Sequence, residues 1–347
     1  MVAQAAGRVT RWATAALGRV LDRVARTEAE VGQRFPLHAD PREDSWTTTR
    51  RGSWTGGFWA GQLWLRARLT GEAGHARAAA DCAARLAPWA EADTVTRGLI
   101  LWYGVAAGGR LGVPTPADAG TDEPARAGAE RLRLTFDPAA GLLPWGTAFG
   151  DPADPVIARV DGVAGTLPLL CWAGETGAVA ARRHLRTHLD LCAAPTGSRP
   201  AWQREAGRWV PRDQPPRGWS RGEAWLLLAL ADAAHWLDPG FARHGRELAR
   251  RWADGVPPAV RDRPDGPPDT SAAAIMVVAL AKLGQREAAT ALLAELVEGH
   301  LTGVGGLGDG CHDLTRGVAT RHELVWGDYF LLLALAILTG TIPAHAV

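Results

Sequence analysis

The chain has few of the features that mark a nucleic-acid-binding, membrane-bound or secreted protein. Its 347 residues carry a formal net charge of +1, so electrostatics gives no reason to expect nucleic acid or an anionic membrane as a partner. The first 32 residues have apolar positions at helical spacing, but Arg and Asp interrupt them, which excludes the apolar core of a signal peptide and a bilayer-spanning run. We therefore expect a cytoplasmic protein with no nucleic-acid or membrane partner.

Cysteine is also scarce, and its spacing is that of neither a metal site nor a disulfide scaffold. The chain has four cysteines, and none of them forms a CxxC pair. Three of the four fall in apolar helical segments, where Cys usually behaves as a small core residue. We expect reduced, mostly buried thiols at Cys82, Cys171, Cys192 and Cys311.

Tryptophan is the residue in excess. The chain has 16 Trp against 2 Tyr and 6 Phe. Flat, rigid indole rings fill protein cores, and they also form platforms for the faces of sugar rings. The excess therefore favours a carbohydrate ligand, although only weakly.

Helical periodicity dominates the chain, and no series of strands stands out. The apolar spacing predicts helices over 9–30, 57–70, 76–90, 98–111, 122–134, 162–174, 179–193, 221–236, 241–253, 271–283, 286–299 and 327–338. A Gly follows an apolar helical segment near 70, 112, 175, 238, 283 and 339, as is typical of a helix C-terminus. These six glycines divide the predicted helices into about six hairpins. We predict an all-α protein, a single (α/α)6-barrel domain over 1–347 with 1–30 as its first helix.

Two long segments interrupt the helical pattern. Residues 137–160 and 194–220 mix Pro, Gly and Trp, and they contain Trp145 and Trp219. Long loops inside a compact helical domain tend to carry function, and exposed tryptophans are costly without a use. We place the binding site in these loops and at the starts of the inner helices.

The segment "WSRGEAW", residues 219–225, places an arginine and a tryptophan on one helical face. Arg221 and Trp225 are four residues apart, so a guanidinium and an indole point the same way. Such a pair can clamp the carboxylate or hydroxyl groups of a sugar. The alternative is an Arg that pairs with a neighbouring acid, Glu223 or Asp328, beside a core Trp.

Four segments together resemble the unsaturated glucuronyl hydrolases and their unsaturated rhamnogalacturonyl hydrolase relatives. They are "WTGGFWAGQLW" at 54–64, "VDGVAGTLPLLCWAGETG" at 160–177, "WSRGEAW" at 219–225, and "DTSAAAIMVVALAKLG" followed by "HELVWGDYFLLLAL". The resemblance implies an (α/α)6 barrel. It also implies a hydrolase, independent of metal and cofactor, that hydrates the C4–C5 double bond of a terminal unsaturated uronic acid.

The same resemblance assigns roles to individual residues. Asp161 matches the family's acid/base, for which the residue itself leaves a helix-capping role as the alternative. Trp54 and Trp145 match sugar-facing tryptophans, and Arg221 with Trp225 matches the substrate-binding pair. In the family, the second carboxylate directly follows a His. The corresponding segment here is "EADTVTRGLILWYG", which contains Asp93 but no preceding His. If this segment is aligned with the family motif without gaps, Thr96 takes the position of the second carboxylate.

Three other interpretations remain open at this point. A family member adapted to a small-molecule pathway would use Asp161 for hydration, dehydration or isomerisation of a modified sugar. A noncatalytic relative would only bind a sugar. Adjacent Cys311 and His312 raise a zinc-dependent cyclase with the same toroid, although a third ligand with its own Cys motif is missing. The sequence names no partner beyond a small saccharide or sugar-containing substrate, and it leaves a homo-oligomer open.

Overall fold

Two concentric rings of helices make up the body of the structure, a computed structural model that describes residues 2–43, 45–114, 122–153, 155–193, 199–252 and 255–347. In chain order the helices are α1 (Val2–Val31), α2 (Gly56–Thr70), α3 (Ala73–Ala84), α4 (Arg97–Gly104), α5 (Ala107–Arg110), α6 (Glu123–Leu134), α7 (Thr166–Ala173), α8 (Glu175–Cys192), α9 (Ser220–Trp236), α10 (Phe241–Ala249), α11 (Thr270–Lys282), α12 (Arg286–Gly299) and α13 (Val325–Leu338).

The inner ring is closed. Helices α2, α4, α7, α9, α11 and α13 each contact the next one in this order, and α13 contacts α2. Outer helices α3, α6, α8, α10 and α12 pack on the inner helix of their own hairpin, and α1 packs on α13. The inner helices are buried along most of their length, because their apolar residues face both the barrel axis and the outer ring. The predicted (α/α)6 barrel is confirmed.

Glycine allows the inner helices to approach one another closely. A Cβ atom at Gly57 would lie 2.5 Å from the carbonyl oxygens of Leu99 and Ile100 on α4, and one at Gly61 would lie 2.5 Å from the Tyr329 ring on α13. Only glycine fits at such contacts. These glycines of α2 therefore serve helix packing, not ligand approach.

Most of the predicted glycine stops follow a helix in the structure, among them Gly174 after α7, but the predicted helices 76–90 and 98–111 are interrupted, since α3 ends at Ala84 and α4 at Gly104. Gly71, Gly112, Gly284 and Gly340 adopt the positive φ of a helix stop. Gly240, by contrast, has φ −59° and precedes α10, so this glycine begins a helix instead of ending one. The predicted first helix is observed as α1, while Met1 and Ala253, at the ends of two predicted helices, lie outside the described residues.

Short strands, which the sequence pattern did not indicate, line one end of the barrel. Strands β1 (Phe35–Asp40), β2 (Ser45–Thr49) and β6 (Glu323–Leu324) form an antiparallel sheet in the order β2-β1-β6, with His38 opposite Leu324. Strands β3 (Ile157–Arg159), β4 (Ala201–Glu205) and β5 (Arg208–Pro211) form a second one in the order β3-β4-β5, with Ala158 opposite Trp202. Runs this short show no clear two-residue period.

The main hydrophobic cluster runs through both rings from Ala13 to Val347, and the single domain over 1–347 stays a prediction. Within the described part of the chain, no helix is both long and apolar enough to cross a membrane.

Candidate active site

A cavity of about 460 Å³ opens at the end of the barrel where the inner helices begin. Its lining comes from residues just before or at the starts of α2, α4, α7 and α9, from the loop between β5 and α9, and from residues 311–316 ahead of α13. A larger groove of about 1000 Å³ lies between α8 and α10 on the outside of the barrel and shares none of this lining. The chemistry discussed below is assigned to the smaller cavity, because indole groups line it together with carboxylates and guanidinium groups, whereas no indole lines the larger groove.

The cavity brings together all but one of the site residues that the sequence predicted. The residues that line it are Trp54, Trp145, Asp161, Trp219, Arg221 and Trp225. The first and last of them, Trp54 and Trp225, are more than 170 positions apart in the chain, and the closed ring of helices brings them into one cavity.

Asp161 lies in a short 3-10 turn, Val160–Gly162, that precedes α7. The neighbouring Arg159 donates to both of its carboxylate oxygens, from Nε to Oδ1 at 3.1 Å and from Nη2 to Oδ2 at 2.8 Å. The carboxylate is partly exposed to the cavity, with 15% of the side chain accessible. Its two bonds to Arg159 replace the capping bond that was the alternative role for this residue, and α7 itself begins only at Thr166.

Arg159 belongs to a chain of polar and aromatic contacts along the cavity wall. Its guanidinium carbon lies 4.1 Å from the ring centroid of Trp145, a cation–π distance. The Nε1 of Trp145 donates to Oδ2 of Asp151 at 2.9 Å, and Arg212 stands 3.8 Å from the other oxygen of that carboxylate. Asp161 and Trp145 are thereby held in fixed positions relative to each other.

Indole rings form the remaining walls. Trp54 packs on Trp326 with the ring centroids 4.9 Å apart, and it is partly buried against the core. Trp225 is buried at the bottom and packs nearly parallel to Phe58, while Trp219 stands at the start of α9. Sugar rings have apolar faces that suit such surfaces.

Arg221 lines the cavity, but its donors are largely used within the protein. It is buried, and Nη1 donates to Oδ2 of Asp269 and to the carbonyl of Cys311, both at 2.5 Å. Nη2 donates to the carbonyl of His312 at 2.7 Å. This geometry disagrees with the predicted clamp, since the paired donors hold an acid and a loop of the protein itself. The acid is Asp269, and the predicted partners Glu223 and Asp328 were wrong.

Asp93 does not line the cavity, which disagrees with the prediction that it acts as a catalytic carboxylate. Its Oδ2 accepts hydrogen bonds from the backbone N–H of Thr147 at 3.0 Å and from the Thr147 hydroxyl at 2.8 Å. Its carbonyl accepts a third from Ala148. Asp93 therefore holds the loop after Trp145 in place. Thr96, which takes the position of the second carboxylate in an alignment without gaps, lines the cavity instead.

Sequence reasoning missed Arg159, Arg212, Asp151 and Phe149, which also line the cavity. Arg159 stands two residues before Asp161, and this proximity was the one signal for it in the sequence. Arg212 follows β5, so it was recognisable only once the hairpin was known. Two glutamines also lie in this region: Gln214 lines the cavity, and Gln203 accepts a hydrogen bond from Arg212.

His312 and Cys311 are placed near the mouth of the cavity, where the thiol of Cys311 is poorly suited to bind a cation. Burial first, then Arg221 and His38, lowers the pKa of His312 to about 4, and burial raises the pKa of Cys311 to about 12. Cysteine binds zinc as the thiolate, and this environment disfavours the thiolate of Cys311. Among the described residues, no three His, Cys, Asp or Glu side chains are arranged to hold a metal ion.

The low pKa of His312 makes stability depend on pH. The unfolded His312 binds a proton below its ordinary value of 6.5, whereas the folded one, which faces Arg221, His38, Asp313 and Arg316, does so only near 4. Stability should therefore fall as the pH drops from 6.5 to 4, by up to about 3 kcal/mol for this residue. Urea unfolding at several pH values should show a shallower decline in His312→Gln than in the unchanged protein. Parallel curves would contradict this assignment.

Comparison with known proteins shows similarity to unsaturated glucuronyl hydrolases. No family model matches the chain. The curated unsaturated glucuronyl hydrolase of Bacillus sp. (strain GL1) is 26% identical over 92% of this chain and 95% of its own length. Segments with the motifs described above thus belong to an alignment that spans nearly the whole chain.

Solved structures agree with this result at the level of the fold. The unsaturated glucuronyl hydrolase of Bacillus sp. GL1, described as responsible for the degradation of glycosaminoglycan, superposes with a TM-score of 0.81 at 23% identity over 93% of this chain and 96% of its own. A heparin-specific unsaturated glucuronyl hydrolase gives 0.83 at 20% over 95% and 98%. A mutant of the Streptococcus agalactiae enzyme complexed with dGlcA-GalNAc6S gives 0.71 at 16% over 93% and 90%. With its sequence matched along almost its full length and its barrel shared, the chain is a divergent relative of the unsaturated glucuronyl hydrolases.

Proposed function

We propose that this protein is a glycoside hydrolase that acts on a saccharide with a terminal unsaturated uronic acid, and that it hydrates the C4–C5 double bond with Asp161 as acid and base. The observation that carries the proposal is the position of Asp161. It is a partly exposed carboxylate in the short turn ahead of inner helix α7, in a cavity walled by Trp54, Trp145, Trp219 and Trp225. The curated relative, which aligns over most of the chain, is named for this kind of substrate.

The reaction needs one group that can both give and take a proton. The carboxyl of Asp161 gives a proton to C4 of the alkene, and the positive charge that forms is shared between C5 and the ring oxygen. Water then adds to C5 and passes a proton back to the carboxylate of Asp161. The product is a hemiketal at C5, whose ring opens to a ketone at C5 and a hemiacetal at C1. The hemiacetal collapses to an aldehyde, its hydroxyl proton passes to the glycosidic oxygen, and the rest of the saccharide leaves as an alcohol. Asp161 thus ends in the protonation state in which it began.

Arg159 is the residue best placed to bind the uronate carboxylate. In this substrate class the carboxylate is attached to C5, one bond from the carbon that receives the proton, so its binding site must adjoin the acid. The guanidinium of Arg159 lies within 3.1 Å of both oxygens of Asp161 and is a quarter exposed. We infer that the substrate carboxylate takes over one of these donors and frees an oxygen of Asp161 for proton transfer.

The surroundings of the cavity also favour an anion. Thr96, Asp161 and Trp219 lie at or just before the first turns of α4, α7 and α9, whose N-terminal ends carry partial positive charge. Arg212 and Arg316 add positive charge at the wall. Arg221 contributes less, because Asp269 neutralises it.

Loss of the alkene absorbance tests the proposal directly. The protein is incubated with lyase-generated unsaturated disaccharides, and the saturated disaccharides of the same composition serve as the control. Turnover of the unsaturated series alone supports hydration. Cleavage of both series would point to an ordinary glycosidase, and absence of turnover with any unsaturated uronide would overturn the proposal.

We predict that Arg159→Gln lowers kcat/KM for an unsaturated uronate by about 10- to 100-fold, as expected for the loss of a charge-assisted hydrogen bond. The methyl ester of the same substrate distinguishes two roles of Arg159, binding of the substrate carboxylate and positioning of Asp161. The unchanged enzyme should prefer the acid to the ester, and Arg159→Gln should have lost that preference.

Arg208→Gln is the matched control, because Arg208 is exposed on β5 and does not line the cavity. It should leave both substrates unaffected. If Arg159→Gln slows acid and ester to the same extent, Arg159 only holds Asp161, and the carboxylate is bound elsewhere.

One feature favours a second candidate, a sugar-binding protein without turnover. Thr96 stands where a second carboxylate was expected, and Arg159 occupies both oxygens of Asp161. Such a protein would bind unsaturated saccharides in calorimetry and leave the alkene absorbance unchanged.

A further inference from the structure

Phe149 is an aromatic side chain that lines the cavity and is also exposed. Its residue is 38% accessible, and the other large exposed hydrophobics of the described chain, Leu134, Val179 and Val318, are aliphatic and line no part of this cavity. Asp161, Trp219 and Trp225 are less accessible than Phe149. Phe149 therefore lies at the mouth, on the path from the barrel to solvent.

The ring of Phe149 has a fixed support on the side of the protein. It stacks on Trp89 with the centroids 5.5 Å apart and the planes inclined by 18°. The Trp89 ring is itself held, since its Nε1 donates to the carbonyl of Arg51 at 2.6 Å and the Arg51 guanidinium lies 5.4 Å from its centroid. The stack leaves part of the Phe149 ring uncovered.

The backbone next to Phe149 is anchored as well. Asp93 binds Thr147 through its carboxylate at 2.8 and 3.0 Å, and its carbonyl accepts from the N–H of Ala148 at 2.9 Å. These are the two residues that precede Phe149. Asp93, whose carboxylate does not line the cavity, thus orders the loop at the rim of the cavity. Little conformational entropy of this loop would therefore be lost when a ligand packs on Phe149.

We propose that Phe149, stacked on Trp89, forms a platform for a third or later sugar ring, counted from the unsaturated terminus, so that this protein favours oligosaccharides longer than a disaccharide. The inference rests on the proposed function for the direction of the chain, in which the unsaturated terminus enters the barrel and the remaining sugars leave by the mouth. Apolar faces of pyranose rings stack on such aromatic surfaces. The ligand class is an oligosaccharide of three or more units with the unsaturated uronate at its terminus.

The test compares an unsaturated disaccharide and a tetrasaccharide of the same repeating unit, both without sulfate. For the unchanged protein, KM should be lower for the tetrasaccharide by roughly 3- to 10-fold, the range expected for one aromatic contact. Phe149→Ala should raise KM for the tetrasaccharide to that of the disaccharide and leave the disaccharide unaffected. Leu134→Ala, which removes an exposed apolar side chain away from the cavity, should change neither.

Calorimetric binding of the same two saccharides to Asp161→Asn, with and without Phe149→Ala, separates this proposal from the proposed function. A length preference that depends on Phe149 supports the platform even if no alkene is consumed. Turnover without any length preference, or with one that survives Phe149→Ala, overturns the platform and leaves the hydrolase proposal intact. Failure of both saccharides to bind overturns both.

Discussion

Asp161→Asn is expected to lower kcat for an unsaturated uronide by at least about 100-fold, because an amide cannot relay the proton that C4 receives and water returns. Binding of the substrate should persist, since the walls of the cavity do not change. The free energy of unfolding should fall by no more than about 1 kcal/mol, because the ion pair with Arg159 is partly exposed. Loss of alkene absorbance measures kcat, and urea unfolding measures the free energy of unfolding.

Asp151→Asn is the matched control for this substitution. Asp151 lines the same cavity, but its carboxylate accepts from Trp145 and serves to hold that ring. We expect its amide to retain activity within about tenfold, since an amide oxygen can still accept the indole hydrogen bond. If Asp161→Asn keeps more than a tenth of the activity, the acid/base role must be given up. If Asp151→Asn loses as much as Asp161→Asn, the role passes to Asp151.

Arg221→Leu is expected to lower the free energy of unfolding by about 3–5 kcal/mol, since it leaves Asp269 as an uncompensated buried charge. The Asp269 side chain has 0% accessibility, and the carbonyls of Cys311 and His312 would lose their donor as well. Arg221→Leu combined with Asp269→Leu should recover much of this loss, because no lone charge then remains in the core. Denaturant unfolding of the two single variants and the double variant gives the coupling free energy.

Arg261→Leu provides the comparison at a surface pair. Arg261 binds Glu223 at 2.9 Å, with about a third of each side chain exposed, and removal of such a pair costs about 0–1 kcal/mol. If Arg221→Leu costs no more than Arg261→Leu and instead weakens saccharide binding, then Arg221 binds the ligand as its place in the motif predicted. The structure favours the first result, because Asp269 and two loop carbonyls already hold the guanidinium.

The barrel could be predicted from the sequence because it depends on local patterns. Apolar residues at helical spacing and glycine stops such as Gly71 and Gly340 are written in short segments, and they do not require knowledge of distant neighbours. The tryptophans of the cavity were found for a similar reason, since they lie in loops or at helix starts. Large, repeated and local signals survive the absence of structural information.

The polar contacts of the site could not be predicted in this way. Arg221 binds an acid 48 positions away, and Asp93 binds a threonine 54 positions away. The chain has 37 acidic residues, and nothing in the local text selects Asp269 over Glu223 or Asp328. A partner of this kind is decided by the ring of helices as a whole, so it emerges only when the tertiary structure is known.

The pairing of α1 with α13 has a consequence for the order of folding. The other outer helices follow or precede their inner partners directly in the chain, whereas Arg23 of α1 meets Glu323 next to α13 across 300 positions, in a buried two-bonded ion pair at 2.8 Å. During synthesis α1 must wait for the last inner helix, and until then the growing barrel is an open arc with an apolar edge. Such a distant contact forms slowly, because chain entropy is lost before the stabilisation from burial is gained.

The cavity is lined from both sides of the seam at which the ring closes, the contact between α13 and α2. Trp54 lies ahead of α2, and residues 311–316 lie ahead of α13. Ligand binding would therefore report on completion of the ring, and partly synthesised chains should be inactive and dependent on chaperones until the seam is sealed.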